Sequence, residues 1–164
     1  MVQEGKEDNL AEAERFEINK ACAQAKFEIG YGCMSKEFNK LVKIAAMLRA
    51  KNGCPWDKKQ TIDSMLEHFL EEADEVKQAM NKKDYKNLRE ELGDLIFTML
   101  MITQIAKERK LFNINQVLRD IDKKIRRRHT WVFGKNKVKT AEEALAMWKK
   151  NKEKEKAKNS TKRA

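Results

Sequence analysis

"LEEADE" (residues 70–75) and "REELGDLIFTMLMITQIA" (89–106) decide how this chain folds. From Leu95 onward the second stretch is apolar almost all round, as expected of a helix at the centre of a helical protein. Ahead of and through the first stretch, Ile62, Met65, Leu66, Phe69, Leu70, Ala73, Val76 and Met80 recur at helical spacing. The two stretches therefore read as neighbouring helices, joined by the short connection "NKKDY" (81–85), with the second running from about Tyr85 to Lys107. Both carry clusters of carboxylates at the edge of strongly apolar sequence.

Working outward, Phe38, Leu41, Val42, Ala45 and Leu48 form another helical stripe, for which Ser35 is a suitable N-cap. Gly53 and Pro55 end it, and "NGCPWDKKQT" (52–61) reads as a loop. On the other side "LFNINQ" (111–116) is a turn in which Asn113 or Asn115 can cap a helix through "VLRDIDKKIRRR" (117–128). "HTWVFG" (129–134) reads as a loop closed by Gly134, and Thr140 caps a short helix "TAEEALAMWKKNK" (140–152). The expected fold is all-α: a four-helix bundle-like domain over 34–150 with a short C-terminal helix. Residues 1–33, broken by "GYGC" (30–33), read as an N-terminal extension, and 151–164 as a basic disordered tail.

Composition agrees with this class. The chain has 164 residues, enough for one domain with a real core. Six glycines and one proline leave few turns, which disfavours a sandwich or barrel. No apolar run reaches the ~18 residues of a membrane span, and the N-terminus has no signal-peptide core. Cys22, Cys33 and Cys54 are odd in number and lack CxxC spacing, so they read as reduced thiols of a cytoplasmic protein, and a zinc site is disfavoured.

The net charge of +10 is unevenly placed. Residues 123–139 hold eight Lys/Arg and no acid, and 149–164 hold eight against two Glu, so the rest of the chain sums to −4. Basic segments of this kind suit phosphate groups or nucleic acid, or simply keep a tail solvated. A nucleic-acid-binding protein is thus a rival reading, but no binding motif accompanies the charge and it leaves the acids unexplained.

Residues three or four apart share a helix face. Glu72 and Glu75 are so spaced, as are Glu71 and Glu75, and Glu91 and Asp94 on the next helix. At 100° per residue Glu72 lies only about 20° from Met65 on the helical wheel, at the border of the core stripe. A carboxylate there has little water and needs a counter-charge. Gly93 sits between the second pair at a cost of roughly 1 kcal/mol relative to Ala, which close approach of a neighbouring helix would offset. Acids at these spacings are common on solvated helix surfaces. Two such pairs on adjacent antiparallel helices instead present four carboxylates to one point, where they repel unless a divalent cation sits among them. Hard oxygen ligands suit Mg²⁺, with Mn²⁺ as a substitute. No DxDxDG loop of an EF-hand is present.

"GCPWDKKQT", "LEEADEV", "LREELGDLIF", "KIRRRH" and "VFG" follow one another in an order and spacing that resembles the MazG nucleotide pyrophosphohydrolases, over residues from about 38 to 150. The resemblance implies an all-α enzyme that hydrolyses nucleoside triphosphates to monophosphate and pyrophosphate with Mg²⁺, assembled as a homodimer or higher oligomer. It further implies Glu72, Glu75, Glu91 and Asp94 as metal ligands and Glu71 as the group that orients or deprotonates the attacking water. Arg127 and Arg128 match the family's "RRH" and become the leading phosphate contacts, with Lys149 or Lys150 possible from the last helix. Trp56, Lys58 and Gln60 lie in the "CPWDKKQT" loop, where Trp56 can stack on a base or close the end of the bundle. His129 reads as a surface or packing residue, and Trp131, Phe133 and Trp148 as packing. Two departures bear on substrate choice: Ile62 stands where the family often has His, and "HTWVFG" where it often has "HPHVFG". One MazG unit is present, whereas some relatives carry two in tandem. A narrower enzyme on the same scaffold, acting on a deoxycytidine or deoxyuridine phosphate, has the same sequence signature.

Overall fold

The computed structural model describes residues 31–161, with side chains over 36–157. Among these the secondary structure is all helix: α1 Tyr31–Leu48, α2 Pro55–Lys59, α3 Met65–Lys82, α4 Tyr85–Glu108, α5 Ile114–Arg128, α6 Thr130–Phe133 and α7 Ala141–Thr161. The all-α expectation holds. The N-terminal extension expected over 1–33 lies largely outside the described residues. Helix α1 encloses Ser35, which is therefore not its cap; a glycine such as Gly32 is a weak break in a first turn, where the N–H groups have no intrahelical partner anyway.

The loop after α1 is more ordered than its composition suggests. Cys54 N–H reaches back to the Leu48 carbonyl (2.8 Å) and Gly53 N–H to that of Ala50 (2.8 Å). A Cβ at Gly53 would collide with the carbonyl oxygens of Met47 and Leu48, so the sharp return of the chain requires glycine. Pro55 then opens α2, its fixed φ suiting a first helical position where no N–H is needed. Arg49 donates from Nη1 to the carbonyls of Asp57 and Gln60, fastening the end of this turn.

Helices α3 and α4 form a hairpin. Lys83 adopts a left-handed conformation (φ 54°), and Asp84 N–H bonds to the Ala79 carbonyl at 3.0 Å, closing the end of α3. Asp84 Oδ1 accepts from Asn87 N–H (3.1 Å) and so caps α4. The chain divides into two compact units at Ile105/Ala106. In the first, Ala45, Met65, Ala79, Leu100, Met101 and Ile105 are buried, and half of these come from α4. Helix α4 is thus central, as its apolar sequence predicts, but it is not buried all round. Leu92, Ile96 and Met99, one face of the helix, are each about 40% exposed (43%, 38% and 41%).

Gly93 overturns one expectation. Among the described residues a Cβ at this position would meet nothing within 4 Å, so no close approach of a described helix accounts for it. Replacing it with Ala is expected to raise stability by about 0.5–1 kcal/mol, read by thermal unfolding. A loss of stability or activity instead would show that a second copy or a bound substrate uses that space.

In the second unit a capping box starts α5: Asn113 Oδ1 accepts from Gln116 N–H (3.1 Å) and Gln116 Oε1 from Asn113 N–H (2.9 Å). Thr140 Oγ1 accepts from Glu143 N–H (3.2 Å) while Glu143 Oε2 accepts from Lys139 N–H (2.7 Å), setting the start of α7. Helix α7 has 21 residues and runs to Thr161, where a short helix and a disordered tail from 151 are expected. The Lys, Glu and Ala of this segment are strong helix formers. Glu155 also anchors it, accepting from Arg127 Nη2 and from Arg128 Nε (2.9 Å).

Candidate functional site

Helix α3 carries Glu71, Glu72 and Glu75, and α4 carries Glu91 and Asp94, with each set spaced so that its members share a face. The hairpin brings the two sets together. Carboxylate oxygens of Glu72, Glu91 and Asp94 all lie within 4.8 Å of one another; Glu72 and Glu91 are half-buried and Asp94 is exposed. Glu75, also exposed, is near enough to Glu91 for its charge to act on that carboxyl. Burial raises the Glu72 carboxyl above its ordinary value of 4.5, with the charges of Asp94, Glu75 and Glu71 adding to the shift and His68 opposing it. Glu91 is raised likewise, first by burial and then by the charge and hydrogen bond of Glu75, with Asp94 and Glu90 contributing. The donor set is carboxylate oxygen throughout, which fits a hard divalent cation such as Mg²⁺ or Mn²⁺ and supplies no soft ligand.

Glu71 stands apart from the trio. Its side chain is 71% exposed, and its Oε2 lies 3.3 Å from Nδ1 of His68. The His68 ring in turn meets Trp56 edge-on, with centroids 5.3 Å apart and planes at 64°. Trp56 is 53% exposed, in keeping with a partly free aromatic surface. Lys58 donates from Nζ to the Lys51 carbonyl (2.9 Å), a tie within the loop. His68 and Arg49 escaped the sequence reading. The i, i+3 spacing of His68 and Glu71 was the available signal for the first; nothing in the sequence shows that Arg49 reaches the loop carbonyls.

The basic run of the second unit is partly neutralised from within. Arg126 pairs with Asp122 (2.8 Å) and lies over the Phe133 ring (4.9 Å). Arg127 and Arg128 share the Glu155 carboxylate, and Arg128, 17% exposed, also lies over the Trp148 ring (5.4 Å). His129 Nδ1 is 2.8 Å from the Ile125 carbonyl and its ring meets Trp131, so it packs the end of α5. Lys149 is exposed on α7.

Residues 60–133 match the MazG nucleotide pyrophosphohydrolase domain. A solved structure, a MazG-related protein from Thermotoga maritima, aligns with a TM-score of 0.60 at 33% identity, covering 70% of this chain and 98% of that one. The chain belongs to the MazG family. A nucleoside triphosphate pyrophosphohydrolase of Escherichia coli K12 is 38% identical over 122 residues, 74% of this chain and 46% of the relative. A Thermotoga maritima protein named nucleoside triphosphate pyrophosphohydrolase/pyrophosphatase MazG is 41% identical over 97 residues, 59% of this chain and 38% of that protein. The chain therefore spans about half the length, or less, of these curated relatives. All five acids, Arg127 and Arg128 fall inside the matched MazG region, while Trp56, Lys58 and Lys149 fall outside it. Among the described residues no helix is long and apolar enough to cross a membrane.

Proposed function

We propose that the chain is a Mg²⁺-dependent nucleoside triphosphate pyrophosphohydrolase, converting an NTP or dNTP to the monophosphate and pyrophosphate. The observation that carries this reading is the convergence of Glu72, Glu91 and Asp94 within the region matched to the MazG domain. Glu72, Glu75, Glu91 and Asp94 are the residues to hold the cation, which when bound neutralises phosphate charge and makes a water a better nucleophile. Glu71, exposed and one position from Glu72, is the proposed group to orient the water and accept its proton. Attack forms a new O–P bond at the α-phosphorus, and the α–β bridging P–O bond breaks to release pyrophosphate. Arg127, Arg128 and Lys149 are the proposed phosphate contacts, stabilising charge that develops as the bond breaks. Trp56 offers a half-exposed indole for the base, with Lys58 two positions further along the sequence. A second copy would cover the Leu92, Ile96 and Met99 face of α4, which supports a homodimer or higher oligomer.

The test is pyrophosphate release from a panel of NTPs and dNTPs, with Mg²⁺ and with EDTA. Release that needs Mg²⁺ supports the reading and ranks the bases. No release from any triphosphate by folded protein overturns it, and salt-sensitive binding to DNA or RNA would then bring the nucleic-acid reading forward.

A further inference from the structure

We infer that His68 is a positioning residue of the hydrolytic site, bridging the aromatic Trp56 and the carboxylate Glu71. The inference rests on the pyrophosphohydrolase reading above. One imidazole makes two contacts of different kinds. Its Nδ1 lies 3.3 Å from Glu71 Oε2, and its ring meets the Trp56 indole in a T-shaped contact at 5.3 Å.

Each partner has reason to need it. A Glu side chain 71% exposed samples several rotamers, only some of which place its oxygen where a proton can be accepted. Misplacing such a group by about 1 Å costs as much as about a hundredfold in rate. The backbone of Trp56 is fixed, because α2 is fastened by Arg49 and opened by Pro55, but its half-exposed ring would still be free to turn. The His68 ring limits that turning. Helix α3 carries His68 and Glu71 one turn apart and Glu72 beside Glu71, so a single rigid element aligns the aromatic, the proton acceptor and the acid trio.

Two substitutions separate the contacts. His68→Phe keeps a ring for Trp56 and removes the nitrogen facing Glu71; His68→Asn keeps a polar group for Glu71 and removes the ring. With Mg²⁺ and the best triphosphate, His68→Phe is expected to lower kcat about tenfold with KM nearly unchanged. His68→Asn is expected to raise KM at least about threefold while kcat stays within about twofold, since ring stacking contributes to nucleotide binding. Independently of activity, the Trp56 indole N–H resonance, assigned with Trp56→Phe, should move in His68→Asn and hold its position in His68→Phe. A role in folding alone would lower Tm without dividing kcat from KM. Variants that match the parent, lose both parameters alike or leave the indole signal unmoved in His68→Asn overturn the inference. If the parent is active and Glu72→Gln is not, that failure belongs to His68 alone. If the parent releases no pyrophosphate, the hydrolytic reading fails and this inference fails with it.

Discussion

A Glu72→Gln chain is expected to lose pyrophosphate release by about a hundredfold or more while remaining folded. Glu72 is half-buried, and one of its oxygens stands within 4.8 Å of one from each of Glu91 and Asp94, so it is the member of the set from α3 that completes the cluster. Gln has nearly the same shape and keeps one acceptor, but it brings no negative charge to a hard cation. The raised Glu72 carboxyl shows that burial and three neighbouring acids work against its ionised form. Removing that charge relieves repulsion, so in chelator the variant should melt no lower than the parent. Adding Mg²⁺ reverses the order. A cation that binds only the folded state at about 100 times its Kd adds about 2.7 kcal/mol, or roughly 5–10 °C in Tm for a chain of this size. The parent should gain this shift and the variant most of it lose. Thermal melts with Mg²⁺ and with EDTA, beside the release assay, give all four comparisons. A variant that keeps its activity, or keeps the full Mg²⁺ shift, would show that Glu72 is not a ligand.

What was legible in the sequence follows from the range over which each feature is encoded. The stripe through Met65, Phe69, Ala73 and Met80 and the apolar second half of α4 are local periodicities, and they yielded the helices directly. The acid cluster was legible because i, i+3 pairs on both arms of a hairpin meet once the two-residue turn at Lys83 and Asp84 is recognised. The turn of helix at Pro55–Lys59 reads as a loop in the sequence because Gly53 and Pro55 mark breaks, and the Arg49 contacts that stabilise the turn leave no local pattern. The Trp56–His68 contact crosses from one helix to the next and shows in no periodicity. Gly93 misled in the opposite direction: its presence suggested packing, and the space beside it is open. The end of α7 is hidden in the sequence for a similar reason. Its composition is that of a solvated tail, and what holds it is a pairing with arginines far back in the chain.

That pairing supplies the second large effect. Glu155→Gln is expected to loosen the C-terminal unit, lowering the melting of α7 by about 3–6 °C at neutral pH. The Glu155 carboxylate is 13% exposed and divides its oxygens between Arg127 and Arg128. Arg128 is itself 17% exposed, and it lies over Trp148, whose ring also receives Lys152 Nζ at 4.9 Å. Asn151 Nδ2 adds hydrogen bonds to the Arg128 carbonyl (3.1 Å) and to Thr130 Oγ1 (3.2 Å), so the contacts gather where α5, α6 and α7 meet. Gln keeps the shape and loses the charge, which leaves the Arg127 and Arg128 guanidinium groups without their shared carboxylate. The hydrogen bonds from Arg128 and then Arg127 hold the Glu155 carboxyl below its ordinary value of 4.5. A carboxyl depressed in the folded state binds fewer protons there than in the unfolded chain. Its contribution is therefore complete above about pH 4.5 and is lost as the pH falls through the lower folded value. The parent and Glu155→Gln should thus differ most near neutrality and converge on acidification, because protonation does to the parent what the substitution does at every pH. Circular dichroism melts of both proteins from about pH 7 down to pH 3 measure the gap directly. A gap that stays constant across that range would show that Glu155 acts through packing and not through its charge.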